Sequence, residues 1–274
     1  MQPHLPARAQ HADRHRHGGG RLDRTRARPG EKVIDLVRRA WQLRAVKKAH
    51  SNRLVTSSRA PVKSKEVAGQ AVRKRLLDSA LFLFAERGYS GVAVDEIVRR
   101  AGVNKRMVYH YFGSKEGIYG EVLRMVFEEL EKIEKALFSR EEAVEDPEAA
   151  MRETVFASFS FLQKTPAFVR LLLWENLNEG RHLKMLERPL TKSHMLAHLT
   201  RLLKAGAAAG RFRKGLEPRA VLASLIGLCL IYFSNRHTLS TTLGVDLASE
   251  KNLRGAAKHS CEILLHGITR PRGA

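Results

Sequence analysis

This sequence predicts an all-α fold: a small N-terminal three-helix unit with a helix-turn-helix, followed by a larger C-terminal helical bundle. Three observations support that. From Ala71 onward no segment alternates with a two-residue apolar period, whereas apolar residues recur at helical spacing. Asp146-Pro147, Thr165-Pro166 and Glu217-Pro218 each set a capping-type residue before a proline at the first helical position, where its missing N–H costs nothing. Within residues 88–120, two short amphipathic stretches flank a tight Ala101-Gly102-Val103 turn.

The helices follow in order. Residues 71–87 place Leu77, Ala80, Leu81, Phe84 and Ala85 on one face behind a basic start, Arg73-Lys74-Arg75, and Gly88 closes the helix. Residues 94–101 are buried through Ile97, Val98 and Ala101, and Gly102 supplies the left-handed conformation that a tight turn demands. Asn104 opens the third helix, with Lys105, Arg106, Tyr109 and His110 on one side and Val108 and Phe112 facing the core. An apolar underside with a basic, hydrogen-bonding upper side suits a helix that lies in a DNA major groove. Helices are then expected over 118–139, 147–164, 166–178, 190–209 and 218–236; Ser249 starts the last, which Gly267 terminates. The 218–236 helix is apolar nearly all round and is expected to be covered on every side.

The 274 residues are 43% hydrophobic, enough to fill a core, and carry a formal charge of +21. Residues 1–65 hold 17 Lys and Arg against 4 Asp and Glu, hence +13, leaving 32 against 24, or +8, for the remainder. Such basicity favours a polyanionic partner without separating DNA from RNA or an anionic membrane. Residues 1–30 are too polar to offset the entropy of ordering and are expected to be disordered. Residues 31–50 are compatible with a short amphipathic helix through Val33, Ile34, Val37, Ala40 and Trp41, and 51–66 read as a linker. The domain reading is therefore a basic extension over 1–65, a DNA-binding unit over 66–117 and a regulatory and dimerisation unit over 118–269. Part of the extension is compatible with an over-long translation start.

Several classes are disfavoured. Cys229 and Cys261, the only cysteines, lie in apolar helical runs and read as buried free thiols, not as a disulfide framework or zinc ligands. His11, His15 and His17 have no second cluster to complete a metal site, so neither metal nor cofactor is expected. The longest apolar run, 221–233, falls short of the roughly 20 residues that span a bilayer. No apolar signal segment lies near Met1, and a cytoplasmic protein without a membrane partner is expected.

Four strings in register, GY at 88–89, DEI at 95–97, AGVNKRMVYHYF at 101–112 and GSKEGIY at 113–119, resemble the TetR family of transcriptional regulators over residues 73–123. The C-terminal strings TPAFVRLLLWEN and GLCLIYFSNRHTLS more loosely resemble that family's pyrimidine-sensing members, which implies no particular ligand here. The resemblance implies DNA contacts from Lys105, Arg106, Met107, Tyr109, His110 and Lys115, with Tyr109 and Lys115 on phosphate. It also implies a homodimer, formed when the 218–236 helix and the last helix pair with those of a second copy. Ala93 stands where the family usually has a capping Thr or Ser, with Glu96 three residues on. Met107 replaces a residue that is often small there, so a thymine-methyl contact is expected in place of a hydrogen bond.

In the bundle, Phe159, Trp174, Asn178 and Tyr232 are the candidates for a small-molecule effector site. Arg170, Glu175, His182 and Asn235 are further polar groups that need partners if buried. The expected function is that of a ligand-responsive regulator, most often a repressor in this family, which binds a palindromic double-stranded operator as a homodimer. Two other classes compete with it: a general nucleic-acid-coating protein driven by the basic extension, and a helical-bundle enzyme. No Glu-x-x-His pair, nucleotide-binding glycine loop or nucleophile motif supports the enzyme.

Overall fold

The computed structural model describes residues 61–138, 145–184 and 194–270, so the expectations for residues 1–60 lie outside the described residues. Eleven helices order the described residues. They are α1 (Pro61–Arg87), α2 (Val94–Ala101), α3 (Arg106–Phe112), α4 (Lys115–Phe138), α5 (Pro147–Lys164), α6 (Pro166–Leu177), α7 (Arg181–Lys184), α8 (His194–Ala208), α9 (Pro218–Ser234), α10 (Arg236–Leu243) and α11 (Glu250–Ile268). The only β feature among those residues is an isolated bridge, Phe212 to Thr269.

α1 starts ten residues before the apolar period does. Val67 is 66% exposed and gives that period nothing to register, whereas Val72 and Leu76 pack into the N-terminal core. Pro61 stands at the favoured first position, and the stretch read as linker is helix from there on. α2 has the expected bounds. Gly102 takes φ +63°, and the N–H of Val103 reaches the Val98 carbonyl at 3.1 Å, closing the turn. Asn104 lies outside α3; its Oδ1 accepts the Arg106 N–H at 2.9 Å. Ser114 Oγ accepts the Gly117 N–H at 3.0 Å, so α4 begins at Lys115, three residues before the expected start.

The N-terminal core gathers Leu76, Phe84, Ile97, Val108, Ile118, Tyr119 and Leu123, together with Leu171 from α6. A second core joins α5, α6, α8, α9 and α11 through Met151, Phe159, Leu199, Leu202, Leu225 and Leu264. Asp146 Oδ1 caps α5 through Glu148 and Ala149, Glu217 caps α9 through Ala220, and Ser249 caps α11 through Asn252. Thr165 does not cap α6, because its hydroxyl donates to the Phe161 carbonyl of the preceding helix at 2.6 Å.

Two further expectations need correction. α9 ends at Ser234, and α10 departs from it at 77°. Within this single chain Ile226 and Ile231 of α9 remain exposed. α11 runs through Gly267 to Ile268, because the chain beyond it pairs instead of turning: Arg213 N–H donates to Ile268 O, and Arg270 N–H to Arg211 O. Among the described residues, no single helix is long and apolar enough to cross a membrane.

Candidate nucleic-acid interface

α3 is pinned from below by Val108, which is fully buried in the core that also holds Ile97, so its upper side faces outward. Arg106, Tyr109 and His110 are exposed there, and the His110 ring meets Tyr111 edge-on at 4.8 Å. Lys105, just ahead of the helix, is exposed and forms an ion pair with Asp95 of α2 at 2.9 Å. The hydrogen bond to Asp95 raises its pKa. Met107 turns inward and is half-buried against the N-terminal core, as is Phe112. Lys115 stands at the first position of α4, half-buried, with Nζ 4.3 Å from the centroid of the Tyr89 ring. Burial lowers its pKa, against an opposing pull from Glu116.

The start of α2 shows how a missing cap is partly replaced. Ala93 holds the extended conformation of a cap (φ −94°, ψ 149°) but has no side-chain acceptor. Only the reverse half of a capping box forms, with Glu96 Oε2 accepting the Ala93 N–H at 2.9 Å. Glu96 Oε1 also receives Arg87 at 2.8 Å; Arg87, then the Ala93 N–H, holds the Glu96 carboxyl below its ordinary range.

The four effector candidates separate into two pairs. Phe159 is buried in the C-terminal core with its ring 5.7 Å from those of Tyr232 and Phe233. Trp174 instead faces α1, where its indole N–H donates to the Ala85 carbonyl at 3.3 Å. Asn178 is tied to it, donating to the Trp174 carbonyl at 2.6 Å.

The remaining polar residues also find partners. Arg170 forms an exposed ion pair with Glu86, and Asn235 accepts from Ser234. Glu175, 1% exposed, accepts from Tyr119 Oη at 2.8 Å, His182 Nδ1 at 3.0 Å, and the backbone N–H groups of His182 and Leu183 at 3.2 Å each. Burial of Tyr119, followed by its bond to Glu175, raises the phenol pKa. Sequence reasoning missed His198, whose Nε2 lies 2.9 Å from Thr154 Oγ1 and whose ring stacks on Phe138 at 4.5 Å. Burial, then the Arg201 charge, pushes it down to about 4. Its register beside the buried Met195, Leu199 and Leu202 was the available signal. Cys229 and Cys261 are buried free thiols as expected, and burial pushes Cys229 up to about 12.

This geometry defines the class: a helix-turn-helix protein carrying a separate helical body. Residues 76–122 match the bacterial regulatory proteins of the tetR family, and residues 147–264 match the tetracyclin repressor-like C-terminal domain. The HTH-type transcriptional repressor NicS of Pseudomonas putida is 33% identical over 206 residues, spanning 74% of this chain and 96% of that protein. The HTH-type transcriptional regulator BetI of Agrobacterium fabrum is 30% identical over 142 residues, 50% of this chain and 68% of that one. The chain belongs to the tetR family of transcriptional regulators. Two solved structures share the fold. The ketosteroid transcriptional regulator KstR2 of Mycobacterium tuberculosis matches with a TM-score of 0.54 and 22% identity over 73% of this chain and 95% of that one. The hemolysin II transcriptional regulator HlyIIR matches with a TM-score of 0.51 and 21% identity over 74% and 99%.

Proposed function

We propose that this chain is a ligand-responsive transcriptional repressor that binds a palindromic operator as a homodimer. The observation that carries the reading is the outward set Arg106, Tyr109 and His110 above the buried Val108. Lys105 and Arg106 reach base edges or phosphates, Tyr109 and Lys115 hold phosphates, and His110 adds a contact beside them. Met107 offers a thymine methyl whatever surface its half-buried side chain leaves open. Binding in the cytoplasm, not catalysis, is the chain's work.

The partner surface for a second copy is the open face of α9 and α11. Ile226, Ile231 and Ile263 are exposed there, and a Cβ added at Gly227 or Gly255 meets nothing within 4 Å. Pairing these helices as a four-helix bundle buries that surface and fixes the distance between the two α3 helices. Successive major grooves on one side of a duplex lie about 34–36 Å apart, and an effector acts by shifting that spacing. Phe159 and Tyr232 retain the effector assignment; Trp174 and Asn178 act at the joint with α1. The basic extension adds sequence-blind attraction to the duplex through counterion release.

Footprinting on the DNA flanking the coding region tests the repressor reading. A short symmetric protected site, lost with Arg106→Ala, is the expected result; uniform protection of any duplex would replace it with a coating function. Sedimentation of Gly227→Leu tests the dimer. The added side chain has room within one subunit, so monomers with a folded N-terminal unit are expected, and an intact dimer at low concentration would move the interface elsewhere.

A further inference from the structure

Tyr89, in the loop between α1 and α2, is surrounded by groups from both parts of the chain. Its ring carries the Lys115 ammonium at 4.3 Å and lies 4.5 Å from the His182 ring of α7 and 5.2 Å from the Tyr119 ring of α4. His182 is held in turn by Glu175 of α6, through both Nδ1 and its backbone N–H, and the same carboxylate takes the Tyr119 hydroxyl. Both Glu175 and His182 are buried, so neither is free to swing away from this arrangement.

From this geometry we infer that Tyr89 is a positioning residue for the Lys115 ammonium, and that Glu175 and His182 back it from the regulatory side. The junction of α6 and α7 thereby sets how well Lys115 meets DNA phosphate. A ring face attracts a cation at short range and leaves the remaining N–H donors of the ammonium pointing outward, where a phosphate accepts them. Displacing His182 withdraws the support behind the ring and returns Lys115 to the rotamer freedom of an exposed lysine. DNA affinity then falls without any change at the base-reading side chains of α3. This inference rests on the reading of Lys115 as a phosphate contact.

The test measures operator affinity of the full chain across salt concentrations for Lys115→Ala, Tyr89→Leu, Tyr89→Phe and His182→Asn, and for each of the last three combined with Lys115→Ala. Thermal melting confirms that each variant is folded. His182→Asn keeps a donor for Glu175 while removing the ring behind Tyr89. It therefore carries the test if Tyr89→Leu does not fold. Lys115→Ala is expected to lower the slope of log affinity against log salt by about one. Tyr89→Leu and His182→Asn should weaken operator binding by roughly 2- to 6-fold with the preferred site unchanged, and Tyr89→Phe, which keeps the ring, should bind like the parent. In the Lys115→Ala background, none of the three should weaken binding further. Losses that persist at full size in that background overturn the positioning role alone. A Lys115→Ala chain whose affinity and salt slope match the parent's overturns the phosphate assignment and the inference with it.

Discussion

The Trp174 ring occupies the space above Gly88: a Cβ added there would lie 2.7 Å from two of its ring carbons, on a residue whose φ is already +68°. The α1 to α2 turn and the regulatory helix α6 are therefore fitted to each other. Gly88→Ala is expected to destabilise the chain by roughly 2–5 kcal/mol, the sum of left-handed strain and over-packing. In a Trp174→Ala background the collision is gone, and only the strain of ~1–2 kcal/mol should remain. Urea unfolding of the four variants forms the double-mutant cycle; strictly additive losses would mean that the indole does not rest on Gly88 in solution.

Asp95 holds Lys105 on the surface proposed to face DNA. Removing the carboxylate frees the ammonium and deletes a charge that repels phosphate. Asp95→Asn should therefore tighten binding to operator and random duplex alike and steepen the salt dependence. The pair is exposed, so the unfolding midpoint should barely move. Weaker binding by this variant would mean that the ion pair orients Lys105 usefully.

Ala93 already has cap geometry, and Glu96 already makes the return bond. Ala93→Thr should complete the box and raise stability by about 1 kcal/mol. Chemical denaturation decides, and an unchanged midpoint would show that the carboxylate of Glu96 alone satisfies the start of α2.

These local features were legible to different degrees for physical reasons. α2 and its turn could be read because burial of Ile97, Val98 and Ala101 leaves a helical period and Gly102 ends it within a few residues. Val67, in the second turn of α1, is exposed and imprints no such period, so the sequence does not reveal the true start. Tyr89 and Lys115 are 26 positions apart, and Glu175 and Tyr119 are 56 apart; nothing in the spacing of either pair announces a contact. Trp174 was grouped with Phe159 because an aromatic on a regulatory helix is equally compatible with a pocket or with a domain joint.

His198 is held neutral by burial, titrating at about 4 in the folded chain against 6.5 for an unperturbed histidine. Between those values the unfolded chain binds more protons. Stability is therefore lost as pH falls from about 6.5 toward 4 and is unaffected by this group above that window. At pH 5 the loss is on the order of 2 kcal/mol. His198→Gln should flatten the change in melting temperature between pH 7 and pH 5 relative to the parent, and an unaltered difference would assign the acid sensitivity to other groups.

Leu171 is 1% exposed, and although it belongs to α6 it completes the core of the N-terminal unit. The border drawn along the chain is thus not the border drawn through the packing. A chimera that grafts residues 61–117 onto another regulator's body inherits a hole where this leucine sat, with a penalty in the range of ~2–5 kcal/mol measured for leucine-sized cavities. Swapping the DNA-reading headpiece between relatives therefore calls for the α6 segment around position 171 to travel with it.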